Sequence, residues 1–205
     1  MIKHIIFDLG RVLIGFDPIN YLRRFHIPEE QIRQIIKECF STELWNELDR
    51  GTYTYKEAAD IVGERCPELN SIIHQALGNE IYQIFTELEP GISFLQKCIQ
   101  QNYSCYYLTN FGSEGFQYVS QHFDFFKGFS GGTASYEIHS IKPEKDIYLH
   151  LLNKYALLAE ECIFIDDNEQ NVIAANALGF HGIVYTEHTN LDKEMIRILA
   201  SASQN

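Results

Sequence analysis

Three short apolar runs that each stop on polar residues do most to limit what this chain can fold into. Ile5-Ile6-Phe7 ends in Asp8 and passes at once to Gly10, the run from Ser104 to Leu108 ends in Thr109-Asn110, and Cys162 to Ile165 ends in Asp166-Asp167. Runs of this length, apolar without strict alternation and bounded by turn residues, read as strands covered on both faces, as in a parallel sheet flanked by helices. The carboxyl ends of such strands converge on one crevice, where ligands bind. Taken singly, Asp8 has a second reading as the cap of a turn or helix start. Together the three polar strand ends make a candidate site.

Between the first strand and the second the periodicity is helical. Asp17-Pro18 and Pro28-Glu29-Glu30 read as helix entries, Gly51 as a helix-closing glycine, and Thr54 with Glu57 as a capping box ahead of Ala58, Ile61 and Val62. The apolar set from Ile72 to Leu88 extends the helical spacing, so residues 16–89 are expected to be an all-helical insertion, a cap. From Pro90-Gly91 onward strands and helices alternate: a helix through Leu95, the strand ending at Thr109, a helix over 113–122, a short strand at 128–130 and a helix opened by Pro143. The strand ending at Asp166, a helix closed by Gly179, a strand from Gly182 to Tyr185 and a helix from Leu191 complete the series. The expectation is an α/β chain with a Rossmann-like three-layer α/β/α core of mainly parallel sheet, formed by residues 1–15 and 90–205, plus the small α-helical cap at 16–89.

A chain of 205 residues, 45% hydrophobic, is long enough to bury a substantial core. It contains no apolar run of membrane-spanning length, and its first residues lead directly into a strand, which sets a cytoplasmic address as the expectation. The cysteines (Cys39, Cys66, Cys98, Cys105, Cys162) are odd in number and never in a C-x-x-C pair, so they read as buried thiols. A net charge of −12 disfavours nucleic acid or an anionic membrane as partner. The same acidity repels an anionic substrate unless a metal ion or a few well-placed cations offset it.

Asp8 and Asp167 are carboxylates without basic neighbours in sequence, and they would repel one another unless a divalent cation lay between them; hard oxygen ligands select Mg²⁺. The Thr109 hydroxyl and the backbone N–H groups after it suit phosphate oxygens, and Lys142, just before Pro143, supplies positive charge. Arg11 in the loop after Gly10 reads as a contact for an anionic substrate or as a surface residue. Trp45, Tyr53 and Tyr55 read first as cap packing, Asp166-Asp167-Asn168 reads also as an N-cap cluster, and Asn171 on the first turn of the next helix as a surface residue.

The segments FDLG at 7–10, YYLTN at 106–110, IKPEKDIY at 141–148 and FIDDNEQN at 164–171 resemble, in order and spacing, the four motifs of the haloacid dehalogenase-like hydrolase superfamily. The resemblance covers essentially the whole chain. It implies that Asp8 is the nucleophile that becomes an aspartyl-phosphate, that Thr109 and the Asn110 backbone bind the phosphate, and that Lys142 steadies Asp8 and the transferring group. It also implies that Asp167, with Asp166 beside it, holds Mg²⁺ together with Asp8 and the Gly10 carbonyl. Phosphatases of the superfamily usually carry an acid–base aspartate two residues after the nucleophile, and here that position is Gly10. The pattern D-L-G-x-V is similar to a small-cap branch that includes an α-D-glucose-1-phosphate phosphatase and lacks the same aspartate. The expected function is therefore an Mg²⁺-dependent phosphatase of a small phosphorylated metabolite, a sugar phosphate by analogy, acting as monomer or dimer. The alternatives are a metal-independent 2-haloacid dehalogenase and a degenerate member that binds a phosphorylated ligand without turnover.

Overall fold

The computed structural model describes residues 1–40, 43–78 and 80–202. Ser41, Thr42 and Asn79 of the expected cap, and 203–205 of the expected core stretch, lie outside the described residues. In chain order, β1 (His4–Phe7) and β2 (Ile14–Phe16) precede α1 (Pro18–Arg23), α2 (Glu29–Ile35), a π turn at Ile36–Phe40, α3 (Glu43–Asp49), α4 (Tyr55–Arg65) and α5 (Asn70–Ala76). Next come β3 (Phe85–Glu87), α6 (Glu89–Gln100), β4 (Ser104–Thr109), α7 (Ser113–His122) and β5 (Gly131–Ala134). The chain continues through α8 (Lys145–Tyr155), β6 (Cys162–Asp166), α9 (Glu169–Ala177), β7 (His181–Val184) and α10 (Leu191–Ala202).

The main sheet is five-stranded, ordered β5-β4-β1-β6-β7, with every neighbour parallel. The strand period of two sorts its side chains between the faces. Ile5, Phe7, Ile163 and Ile165 point to one side, with Leu95 and Cys98 of α6 and Met195 and Ile198 of α10. Ile6, Leu108 and Phe164 point to the other, against Ile147 and Leu151 of α8 and Ala175 of α9. The result is the expected three-layer α/β/α core. Full burial of each such side chain contributes about 1.5–3 kcal/mol.

Register then places the chemistry. Phe7 lies opposite Tyr107 on β4 and Ile165 on β6, so the next residues, Asp8 and Asp166, leave the sheet side by side, with Thr109 one step further along β4. The Asp8 N–H still donates to the Ile165 carbonyl at 2.8 Å, which extends the ladder to the carboxyl end of the sheet.

The helices of the cap bury Leu22, Ile32, Ile35, Leu48, Val62 and Ile73 against one another, and the Tyr21 hydroxyl donates to the Ala76 carbonyl at 2.7 Å. Asp17 caps α1, and the Thr54–Glu57 capping box opens α4 as its sequence indicates. The stretch 16–89 is not all-helical, however. Its two ends form an antiparallel ribbon in which Phe16 faces Phe85 and Ile14 faces Glu87. The helical spacing of Ile81, Ile84, Phe85 and Leu88 hid β3, because a three-residue strand shows a single alternation and its partner lies about seventy positions away. Two other boundaries move: the strand expected at 128–130 runs from Gly131 to Ala134, and the helix expected from Pro143 starts at Lys145. Gly91, in the first turn of α6, lets the chain returning from the cap pass close to the loop after Asp8; a Cβ there would lie 2.0 Å from the Val12 carbonyl oxygen.

Candidate active site

A cavity of about 540 Å³ opens over the carboxyl ends of the central strands, between the sheet and the cap. Its floor is a buried charge network. The Lys142 ammonium lies 2.8 Å from Asp8 Oδ1 and 2.6 Å from Asp166 Oδ2, with its side chain 1% exposed. Asp166 also accepts from the Asn168 N–H at 2.8 Å and, through both oxygens, from the Asn171 amide at 3.1 Å. Asn171 is therefore buried in the site, and the Tyr148 hydroxyl fixes its backbone by donating to its carbonyl at 2.9 Å. Asp8 Oδ1 takes the Leu9 N–H at 2.7 Å.

Lys142 is itself held by its own backbone. The Asn110 side chain accepts from the Lys142 N–H at 2.7 Å and donates to the Lys142 carbonyl at 3.0 Å, so its amide is spent on positioning the lysine. Thr109 is buried, and its hydroxyl has no partner within the described residues. A buried hydroxyl without a partner is costly, which is consistent with a ligand oxygen completing it. Arg11 sits in the loop after Gly10 with positive φ, its side chain 66% exposed and 3.6 Å from Asp167 Oδ2.

Asp8, Asp166 and Asp167 bring carboxylate oxygens within 4.8 Å of one another, a spacing that suits a shared cation. They differ in how free they are. Both oxygens of Asp166 are occupied by Lys142 and Asn171, whereas Asp167 is a quarter exposed and pairs, among the described residues, with Arg11. The donor set of hard carboxylate oxygens fits Mg²⁺.

Burial drives the electrostatics. It pushes the Asp8 carboxyl up to about 7 against the pull of Lys142, with Asp166 and Asp167 adding to the rise. Asp167 is raised by burial and by Asp166, and Arg11 and Lys142 oppose this. Burial pulls Lys142 down, yet Asp166 and Asp8 more than offset it and hold the ammonium above its ordinary value.

The cap forms the other wall: Ile14 and Phe16 of β2, Phe40, Trp45, Tyr55 and Phe85, with Phe111 from the core loop. Trp45 and Tyr55 thus reach the cavity, while Tyr53 is exposed and does not line it. Of this wall the sequence reading missed Ile14, Phe16, Phe40 and Phe85 and, most consequentially, its acid. Asp49, the last residue of α3, lines the same cavity as Asp8 and Lys142. Burial and the neighbouring Asp8 push its carboxyl up to about 7, while Lys142 and the Gly112 N–H pull the other way. A signal for it existed, since a carboxylate at a helix C-terminus opposes the helix dipole and calls for another reason to be there.

Comparison with known proteins agrees with this geometry. A profile described as haloacid dehalogenase-like hydrolase matches residues 2–179. The chain is 27% identical over 192 residues to the sesquiterpene phosphatase astK of Aspergillus oryzae, covering 90% of each. It is 22% identical to the drimenol cyclase drtB of Aspergillus calidoustus, and although the match takes in the whole chain it spans only 38% of that longer protein. Among solved structures, the HAD family enzyme bt-2542 of Bacteroides thetaiotaomicron, a variant in complex with magnesium and inorganic phosphate, superposes with a TM-score of 0.76. The two are 22% identical over 95% of this chain and 99% of that one. The L-2-haloacid dehalogenase of Xanthobacter autotrophicus gives a TM-score of 0.68 at 16% identity, over 98% and 83% of the two chains. At these identities the structural likeness speaks for the fold. With a family profile matched over most of its length, and with the nucleophile-position aspartate, lysine and paired acids together at one sheet edge, the chain belongs to the haloacid dehalogenase-like hydrolase family.

Proposed function

We propose that the protein is an Mg²⁺-dependent phosphomonoesterase that works through an aspartyl-phosphate on Asp8. The observation that carries this reading is the charge imbalance of the site. Asp8, Asp166, Asp167 and Glu169 face Lys142 and Arg11 as the cations among the described lining residues, so a phosphate dianion is repelled unless a divalent cation enters with it. Asp8, Asp167 and the Gly10 carbonyl would hold that cation, with Asp166 behind them as the anchor of Lys142. When bound, Mg²⁺ would draw charge from the phosphoryl oxygens.

The chain's own groups do the remainder. Asp8 Oδ1 is engaged by Leu9 and Lys142, and this fixes the carboxylate for in-line attack on phosphorus. Lys142 offsets charge on the transferring phosphoryl group, and its position is set from two sides by Asp166 and Asn110. Thr109 and the backbone after it would receive the phosphate oxygens. The astK relative is a sesquiterpene phosphatase, and the wall of Phe16, Phe40, Trp45, Tyr55 and Phe85 offers aromatic surface in place of the hydrogen-bonding groups that sugar hydroxyls require. We therefore read the organic half of the substrate as apolar, in preference to the sugar phosphate expected from sequence.

The test is phosphate release from an isoprenyl monophosphate and from glucose 1-phosphate, with Mg²⁺ or with EDTA, for wild type and Asp8→Asn. Mg²⁺-dependent release by wild type alone supports the proposal, and equal release by both proteins removes the nucleophile. The 2-haloacid dehalogenase reading, favoured by Gly10 where phosphatases usually carry a second aspartate, requires instead activity on 2-chloropropionate that survives EDTA. A protein stabilised by Mg²⁺ and phosphate yet inert on every ester would be a binding member of the family.

A further inference from the structure

The position that usually supplies the acid–base aspartate holds Gly10, and the space beside it is open: a Cβ built there meets nothing within 4 Å. Phosphoryl transfer from an alkyl ester still needs a proton for the departing oxygen. We propose that Asp49 of the cap donates this proton, and afterwards accepts one from the water that hydrolyses the aspartyl-phosphate. The inference rests on the phosphatase reading and adds to it a catalytic residue from outside the motifs.

Placement is the first support. Asp49 lines the cavity together with Asp8, Asn110 and Lys142, and its main chain is fastened to the core. The Ser135 hydroxyl donates to the Asp49 carbonyl and accepts the Phe111 N–H at 2.8 Å, which joins the end of α3 to β5 and to the loop after Asn110. The next residue, Arg50, donates to the His139 carbonyl at 3.2 Å and to both oxygens of Glu144, and the Arg50 carbonyl lies 2.8 Å from His139 Nδ1. Residues 139–144 contain Lys142. The cap carboxylate and the core lysine are therefore positioned by one cross-linked segment, so Asp49 is registered on the core even though it belongs to the cap. Gly51, with φ of +77°, turns the chain immediately after this contact.

Protonation is the second support. The charged and polar groups that face Asp49 are Asp8, Lys142, the Gly112 N–H and the Tyr55 phenol. Burial, the largest cause, raises the carboxyl above its ordinary value, and Lys142 and the Gly112 N–H oppose it. A buried carboxyl so placed can give a proton and take one back. The first half-reaction breaks the P–O bond to the alcohol and forms the Asp8–phosphorus ester; the alcohol oxygen takes the Asp49 proton, leaving Asp49 as carboxylate. In the second, water adds to phosphorus and its proton returns to Asp49, while the Asp8 carboxylate departs and inorganic phosphate is released.

Leaving-group dependence tests the assignment. p-Nitrophenolate departs without a proton, whereas an alkoxide does not. In Asp49→Asn with Mg²⁺, kcat/KM on an alkyl or isoprenyl phosphate is expected to fall about 10²–10⁴-fold. The p-nitrophenol burst is expected to stay near the wild-type rate, followed by slow turnover because hydrolysis of the aspartyl-phosphate has lost its base. Adding Gly10→Asp to Asp49→Asn is expected to restore alkyl phosphate hydrolysis, since the space at Gly10 is free. The amide keeps the acceptor for the Gly112 N–H, and Asp49→Ser, checked by melting temperature, serves as the second variant. An unchanged kcat/KM on alkyl phosphate, or a parallel loss of kcat/KM on alkyl phosphate and of the p-nitrophenol burst rate, overturns the proposal. Failure of the phosphatase reading looks different, because wild type itself would then be inert on both esters, or Asp8→Asn as active as wild type.

Discussion

The core wall of the cavity is polar, buried and cross-linked. Lys142, Asp166, Asn171 and Asn110 each hold one another or a backbone group, and little of the wall is free to rearrange. The cap wall is aromatic, contributed by Phe16, Phe40, Trp45 and Tyr55 at mutual ring distances of 4.9 to 6.3 Å, and it carries a single acid, Asp49. The contrast separates two tasks. Electrostatic preorganisation requires groups that do not move when charge develops, and a buried network supplies that. Discrimination among organic groups requires shape and apolar area, and the cap can alter these without disturbing the network.

The comparison is broken most severely from the core side. Asp8→Asn keeps the shape and removes the proposed nucleophile, so kcat for phosphate release is expected to fall on the order of 10⁴–10⁶-fold, measured in steady state with Mg²⁺. Substrate affinity, read by equilibrium binding, should change far less.

Lys142→Met tests whether the network also holds the fold. It strands Asp8 and Asp166 without their cation in a buried site, and breaking such a pair costs about 3–5 kcal/mol. A drop in Tm of roughly 10 °C is expected for a chain of this size. Mg²⁺ should recover part of it by neutralising Asp8, whereas in wild type added Mg²⁺ should raise Tm less. An equal Mg²⁺ effect in both would mean that lysine and cation act on different charges.

From the cap side the effect is smaller and of another kind. Trp45→Ala removes an aromatic face that packs on Phe16 at 5.4 Å and Phe40 at 4.9 Å. KM for an apolar ester is expected to rise about tenfold, equivalent to about 1.4 kcal/mol, with kcat nearly unchanged. For acetyl phosphate, which reaches only the core wall, both constants should stay near wild type. A loss of kcat on both substrates would show that the walls are not separable.

The same division explains what could be read from sequence. The core announced itself because its signals are local: an apolar run ending in Asp8, another in Thr109-Asn110, a third in Asp166-Asp167, each an unbroken stretch. The cap wall was not legible because it is made of pairings distant in sequence. β3 meets β2 across the whole cap, and Trp45 and Tyr55 share helical spacing with residues that face the cap interior. β5 was displaced for a similar reason. Gly131 and Gly132 have no apolar pattern, and it is the Tyr155 and Tyr107 rings lying against them that make the strand; a Cβ at Gly132 would come within 2.4 Å of the Tyr107 ring. Asp49 was hidden by type as well as by distance, as one acid among many in an acidic chain, and only the tertiary contact with Lys142's segment gives it a place.

The joint between the walls is the subtlest target. Arg50 of the cap grips Glu144 of the core, and the Ser140 hydroxyl and the Ile141 N–H also donate to that carboxylate, at 2.9 and 3.3 Å. The Arg50 hydrogen bonds hold the Glu144 carboxyl down at about 2, below its ordinary 4.5. With the folded-state value depressed, the stabilisation is complete above about 4.5 and is lost as pH falls toward 2. The side chain is 43% exposed, so solvent screening limits the pair to at most about 1 kcal/mol. Glu144→Gln is therefore expected to lower Tm by roughly 2–4 °C at pH 7, and the gap to wild type should close as both proteins are taken down in pH. Asp8 and Asp49, raised from 3.8 to about 7, make either protein more stable as pH falls from about 7 toward 3.8, but wild type and variant share them and the difference isolates Glu144. A gap that stays constant with pH would mean that the Arg50–Glu144 ion pair adds nothing to the fastening of cap to core.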